Sequence, residues 1–420
     1  MFQEPRPAPQ RFASEEEARE VARTFDLRAI GPDFIANPYP IYNALRDHAP
    51  VKALPGGGYL VSRAEDCNFV YKDARLFSSD KKKEFLPKFG DGLLYQHHTT
   101  SLIFNDPPLH TRVRKIIAGA LNPRAVADME APMVALCDQL LDALAAKSEG
   151  DLIADLAAAV PIEVIGNLLA IPHELRSPLR DWSLAILGAL EPQPTPQMLE
   201  VGEQAVADFL DYLRDLVAER RRNPGDPARD VLTRLIQGEQ NGEKLSEIEL
   251  LQNVIFILNA GHETTTNLIG NGLYTLLEHP EERAKLISSP ALINTAVEEF
   301  LRYEAPVQIG NRLVTAEAEV GGVRMPAGTY ITTCIAGANR DPAEFEAPDR
   351  LDVARETNRH LAFASGPHFC VGLNIARMEG RIAIGRFLAR FPNYRLSGPA
   401  IRGGRARFRG FLSIPVVLGE

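Results

Sequence analysis

Cys370 stands in a loop built from glycine and proline, Phe363-Ala364-Ser365-Gly366-Pro367-His368-Phe369-Cys370-Val371-Gly372, directly before a helical pattern that begins near Leu373 (Ala376, Met378, Ile382, Phe387). A thiol at the N-terminal end of a helix meets the positive end of the helix dipole and free backbone N–H groups, and both lower its pKa. Gly366 and Gly372 allow a tight turn around the sulfur and the close approach of a flat ligand, because no Cβ intrudes. A thiolate so placed serves as a nucleophile or as a metal ligand, whereas the commonest fate of a free cysteine is burial as a small apolar side chain.

A second chemical grouping is Ala260-Gly261-His262-Glu263-Thr264-Thr265, inside an apolar helix predicted over 251–277. Ala260 and Gly261 open a groove on a helix that otherwise packs tightly. The Thr264 hydroxyl can bond back to the Ala260 carbonyl, which favours a local bulge. An acid followed by an alcohol suits proton delivery, with Glu263 as the relay and Thr264 as the hydrogen-bonding group. A merely structural threonine-rich helix explains the pattern poorly, since Gly261 and Thr264 to Thr266 all cost helix propensity. Two further pairs share helical faces: His110 with Arg114, four apart, and Glu299 with Arg302, one turn apart.

The spacing of Phe363, Gly366, Cys370 and Gly372 fits Phe-x-x-Gly-x-x-x-Cys-x-Gly, followed by Ala376-Arg377, and resembles the cysteine loop of the cytochrome P-450 family. The likeness runs from about residue 35 to the C-terminus. It implies a mainly α, α+β fold with small sheets, one domain over 1–420 with a polar segment at about 1–30, and haem b between the long central helix and the cysteine-loop helix. Cys370 would be the axial iron ligand, as thiolates are in this class. Phe363, Gly372, Ala260 and Gly261 would border the haem, and His110, Arg114, Arg312 and His368 would hold its propionates. Glu299, Arg302 and Arg350 would form a buried charged network beneath the loop. The implied activity is a haem-dependent monooxygenase that inserts one atom of O2 into a C–H bond by hydroxylation or O-dealkylation. The alternatives are a peroxide-using or rearranging haem-thiolate enzyme, or a non-catalytic haem sensor; the presence of both Glu263 and Thr264 weighs against them.

Composition narrows the partners. Against 55 acidic residues there are 46 basic ones, a net charge of −9 with no basic tract, so nucleic acid is an unsuitable partner. Cys67, Cys137, Cys334 and Cys370 form no CxxC pairs, which argues against a zinc site or a disulfide framework and for a reducing cytoplasm. The N-terminus has no apolar run of membrane-span length, so a soluble protein is expected; the resemblance implies a monomer. No flavin or iron–sulfur segment is evident, and the resemblance implies electrons from a separate ferredoxin and ferredoxin reductase. Arg112, Lys115, Arg377 and Arg381 would dock the ferredoxin.

The elements that must position these groups follow in order. Ser14-Glu15-Glu16-Glu17 reads as an acidic helical run in a solvated segment, and Asn37-Pro38-Tyr39-Pro40 opens a short helix. Strands are predicted at 51–54 and 58–62 around Pro55-Gly56-Gly57, then at 320–323 and 330–335. No period holds over 78–100, which reads as a loop. Asn105-Asp106-Pro107-Pro108 leads into the His110 helix, and Glu191-Pro192-Gln193-Pro194-Thr195-Pro196 links two helices, which by the resemblance would form a mobile lid over the active site. The final 409–416 stretch resembles a terminal β-hairpin. By the resemblance the substrate pocket draws on the 81–100 loop, Trp182 to Leu190, Phe256, Asn259, Ala260, Val307, Ile309 and Phe411. Lys81 to Lys83 and Lys88 could attract a carboxylate or be plain solvated charge, and Asn259 could bond substrate or its own backbone; a small aromatic or acidic substrate is expected.

Overall fold

The computed structural model describes residues 6–121, 123–227, 230–240 and 243–419. Ser14 starts the first helix, α1 (Glu15–Thr24), by accepting a hydrogen bond from the Glu17 amide. The solvated reading of this segment holds for one face only. Ala22, Phe25 and Leu27 are buried with Tyr39, Tyr42 and Leu45, the last three from α2 (Tyr39–His48).

The main sheet is assembled from both ends of the chain. Its strands are β1 (Val51–Ala53), β2 (Tyr59–Val61), β3 (Phe77–Ser78), β4 (Ile309–Val314) and β5 (Tyr330–Cys334), in the order β1-β2-β5-β4-β3. Only β2 and β5 pair in parallel. Gly58, at φ +76°, closes the β1–β2 turn where a Cβ would lie 2.4 Å from the Tyr330 carbonyl oxygen, so no larger residue fits.

Two helices occupy the stretch expected to be a loop, α3 (Lys82–Phe89) and α4 (Leu93–Thr100). The cap of α4 comes from far along the chain: the Glu203 carboxylate accepts from the Leu93 and Leu94 amides at 2.5 and 2.9 Å. The following helices are α5 (Leu109–Ala120), α6 (Leu179–Gly188) and α7 (Pro196–Arg222), and the proline-rich link separates the last two as expected.

The central helix α8 runs Glu247–Glu278, longer than its apolar pattern, because Ser246 and Glu249 form a capping box before it. It is α-helical throughout. Thr264 does bond back to the Ala260 carbonyl, at 2.5 Å, but no bulge results. The helix separates two apolar clusters. Val254, Ile255 and Leu258 belong to one, and Leu268, Ile269 and Leu273 to the other. Below it lie α9 (Ile293–Tyr303) and the cysteine-loop helix α10 (Leu373–Arg390). The 409–416 stretch is not one hairpin: Phe411–Ser413 pairs with Ile401–Arg402, while Pro415–Val417 pairs with Arg395–Leu396 and Glu149–Asp151. Among the described residues no helix is long and apolar enough to cross a membrane.

The charged network is present with one member replaced. Arg302 donates to both Glu299 oxygens at 2.7 Å, and both side chains are 0% exposed. The remaining Arg302 donors go to the carbonyls of Asn339, Pro348 and Arg350. The third arginine is Arg355, whose Nε reaches Glu299 Oε2 at 3.1 Å, not Arg350. Arg350 offers only its carbonyl, and its guanidinium is 70% exposed beside Asp352. The Asp352 amide also donates to Glu299 and the Arg355 amide bonds the Asp352 carbonyl, a turn that swings position 355 inward and leaves position 350 outward. Arg302→Met should therefore lose about 3–5 kcal/mol in denaturant unfolding, since it strands a buried carboxylate. Arg355→Met should lose about 1.5–3 kcal/mol for its charge-assisted bond, and Arg350→Met should stay within about 0.5 kcal/mol of the parent.

Candidate active site

The cysteine loop is held by its own backbone. The Cys370 amide donates to the Phe363 carbonyl at 3.0 Å, and the Phe369 amide to that of Gly366 at 3.0 Å. Gly366 adopts φ +68°, and a Cβ there would lie 2.3 Å from the Tyr71 carbonyl oxygen, so the turn requires glycine. Burial is the largest influence on the Cys370 thiol and raises its pKa, while the Gly372 N–H, Arg114 and Arg377 pull it back only in part. The helix-end argument from sequence therefore underestimates desolvation. The protein alone keeps this sulfur a thiol, and a coordinating metal cation is what would deprotonate it.

One wall beside the sulfur is short of negative charge. His110 and His368 stack with ring centroids 4.1 Å apart; both ring nitrogens of His110 and Nε2 of His368 are buried without a partner. Burial, then Arg312, His110 and Arg114, push His368 down to about 2, and burial lowers His110 as well, so both rings are neutral. Arg114 donates to the Phe369 carbonyl at 2.5 Å, and Arg312 to the Asn311 carbonyl at 2.8 Å while lying over the Tyr71 ring. Among the described residues neither arginine forms an ion pair; Asp106 acts on Arg312 from a distance, its carboxylate being bonded to Ser78 and Ser79. Two imidazoles with unpartnered nitrogens and two arginines bonded only to neutral carbonyls here fit a ligand with carboxylates on its rim, as haem has.

These residues border a cavity of about 530 Å³. Its floor carries Cys370, Phe363 and Gly372, and Arg114, Arg312 and His368 lie on its wall; His110 reaches it only through its contact with His368. Ala260, Gly261 and Thr264 face it from α8. A Cβ at Gly261 would meet Ile165 Cδ1 at 2.5 Å, so this glycine also lets α8 pack on the helix Ala159–Leu168. Phe256, Asn259, Val307 and Ile309 line the upper part, as expected. Asn259 Oδ1 accepts from Ser183 Oγ at 2.7 Å, and its Nδ2 is unpartnered.

Three expectations need correction. Phe411 does not line this cavity: its ring packs on Tyr274 at 4.4 Å and under the Arg402 guanidinium, and Phe408 takes its place. The start of the Phe411–Ser413 strand turns that side chain toward the far part of α8. Trp182 packs against Phe209 and Tyr212, leaving Leu187 and Leu190 to form the wall. Of the lysines, Lys82 and Lys83 are exposed, whereas Lys81 is buried against Glu84 at 2.9 Å and faces the cavity together with Lys88.

Glu263 and Thr264 are neighbours that face different spaces. Thr264 lines the main cavity. Glu263 lies with Arg180, His262 and Asn267 around a second cavity of about 30 Å³, paired with Arg405 Nη1 at 2.6 Å. Burial lifts the Glu263 carboxyl to about 7 against the opposing pull of Arg405. Arg405 stands 142 positions away, and no sequence pattern announced it. Of the residues expected to dock a ferredoxin, Arg112 pairs with Glu249, Arg377 with both oxygens of Glu298, and Arg381 with Glu130, while Lys115 is exposed.

A half-buried thiol on a cavity floor, a rim of arginines and unpartnered imidazoles, and an acid–alcohol pair on the helix above define the layout of a haem-thiolate oxygenase. The family model for cytochrome P450 matches residues 189–394. Cytochrome P450 107B1 of Saccharopolyspora erythraea is 40% identical over 391 residues, covering 89% of this chain and 92% of that protein. The vitamin D(3) 25-hydroxylase of Pseudonocardia autotrophica is 36% identical, covering 92% and 95%. Among solved structures, P450BioI bound to an acyl carrier protein bearing hexadec-9Z-enoic acid superposes with a TM-score of 0.86 at 32% identity, over 92% of this chain and 99% of that one. The chain belongs to the cytochrome P450 family, with its fold, its haem cofactor and its monooxygenase class.

The Glu263 value has a direct check. In pH-difference infrared spectra, a protonated-carboxyl band that Glu263→Gln removes should be half-lost near pH 7. Arg405→Met should move that midpoint upward, because the arginine favours the charged form. A band already absent at pH 6 would contradict the assignment.

Proposed function

We propose that this enzyme inserts one oxygen atom into a C–H bond of a small organic substrate, with electrons supplied by a separate ferredoxin and its reductase. What carries the reading is that the Cys370 sulfur, the unpartnered Nε2 of His368, the Arg114 and Arg312 guanidiniums, which bond the Phe369 and Asn311 carbonyls, and the Thr264 hydroxyl border one cavity. In this reading Cys370 binds the haem iron, His110, Arg114, Arg312 and His368 hold the propionates, and haem supplies the oxygen chemistry when bound. Glu263, poised near neutrality, takes up and releases a proton on the side of the small cavity, and Thr264 offers its hydroxyl oxygen on the side of the main one. The Thr264 hydrogen is committed to the Ala260 carbonyl, so its oxygen presents lone pairs to the main cavity. The upper cavity walls are mostly apolar and exclude water around a bound substrate. Cys67, Cys137 and Cys334 are free and buried, which supports a cytoplasmic enzyme.

The reduced protein with carbon monoxide should give the red-shifted absorbance band of thiolate ligation, and Cys370→His should lose that band while keeping haem. Retention of the band in the variant would sink the assignment.

The ferredoxin contact is best tested at exposed Lys115, because reversal at Arg112 would set a like charge against its partner Glu249. Lys115→Glu should raise the half-saturating ferredoxin concentration several-fold at low salt, and added salt should narrow the difference.

A further inference from the structure

At the roof of the cavity, away from the Arg312 wall, two cations face inward with neutral partners only. Arg407 donates to the Leu190 carbonyl at 3.0 Å, the Ile309 carbonyl at 3.2 Å and Asn311 Oδ1 at 2.7 Å. Lys88 Nζ donates to the Glu191 carbonyl at 2.9 Å. The carboxylate best placed to neutralise them, that of Glu191, is occupied by the Ala406 and Arg407 backbone amides. Lys81 is matched by Glu84. Three cations against two carboxylates, Glu84 and Glu191, leave one positive charge. This pole is distinct from the Arg312 wall, because side chains alternate along β4 and put Asn311, the partner of Arg407, on the face opposite Arg312.

Two further observations point to a ligand at this pole. His98 is 1% exposed, borders the same cavity, and has Nε2 without a partner. Lys88 is pushed down to about 8 by burial and by Arg407, the mark of positive charge crowded where water is scarce. Below these groups the walls are apolar and aromatic. Phe85 and Phe104 lie 5.2 Å apart with His98 beside both, and Leu187, Val307 and Phe408 continue toward α8. A buried unmatched charge costs free energy unless something pairs with it.

We propose that the substrate is an organic monocarboxylate, its carboxylate held between Lys88 and Arg407 and its aromatic or aliphatic body lying along Phe85, Phe104, Leu187 and Phe408 toward Thr264. The inference rests on the monooxygenase reading of the same cavity. It also selects against neutral isosteres, which would leave the surplus positive charge of this pole without a counter-ion.

The test titrates the haem-loaded protein with dodecanoate and 4-phenylbutanoate and with their methyl esters, following the haem spin-state change and the heat of binding. In the parent at least one acid should bind about 10- to 100-fold tighter than its ester, the range expected for a charge-assisted hydrogen bond. Lys88→Met should remove most of that preference while leaving ester affinity and the binding of imidazole, a neutral haem ligand, unchanged. Arg407 braces three acceptors and its loss risks misfolding, so Lys88→Arg serves as the second variant and should retain the preference. Equal affinity for acid and ester, no binding of either acid, or a preference that survives in Lys88→Met would overturn the proposal while a normal carbon monoxide band leaves the haem reading intact. Absence of that band would overturn both.

Discussion

The constraint on which the site depends is the burial of the Cys370 sulfur without a matching positive charge of its own. Desolvation outweighs the Gly372 N–H and the two nearby arginines, so the thiol stays protonated until a cation arrives. A few residues away the imbalance has the opposite sign: among the described residues Arg114 and Arg312 form no ion pair, and His110 and His368 have nitrogens with no partner. A single ligand with a metal at its centre and carboxylates on its rim meets both needs. That complementarity supports the proposed haem contacts more strongly than any one residue does.

Holding such a loop in place requires a rigid support, and the Glu299–Arg302 pair supplies it. Every donor of the Arg302 guanidinium is used, and Glu299 also accepts from Asp352, Arg355 and Asn358. The pair thereby ties α9 to the chain between 348 and 358. Buried ion pairs of this kind give little net stability over an apolar substitute, but breaking one is expensive, so they specify one arrangement. Next to it Glu298 is held down to about 2 by His360 and Arg377 despite its burial, and it anchors α10 just past the cysteine.

The central helix works by facing two ways. Thr264 opens on the main cavity while Glu263, one residue earlier, opens on a small one, since adjacent helical positions are about 100° apart. The carboxyl can exchange protons with one space and the hydroxyl can serve the other, with no long-range motion of the backbone.

The sequence alone determined what depends on local spacing. The cysteine loop, the acid–alcohol pair, the His110–Arg114 and Glu299–Arg302 faces and the boundaries of the long helices could be read because each is set within a few residues by turn geometry, capping and helical period. What only the tertiary structure decided depends on partners remote in the chain. Glu203 caps α4 across more than a hundred positions, so 93–100 is a helix despite its lack of period. Arg355 rather than Arg350 meets Glu299 because a turn reverses which side chain points inward. Phe408 rather than Phe411 borders the cavity because the Phe411 ring, on a strand paired with Ile401–Arg402, packs on Tyr274 further along α8. Arg405 sets the charge environment of Glu263, and Arg407 that of the cavity roof, from a C-terminal stretch with no local motif. Desolvation is likewise a property of the assembled interior, and it reversed the sign of the shift that local reasoning assigned to Cys370.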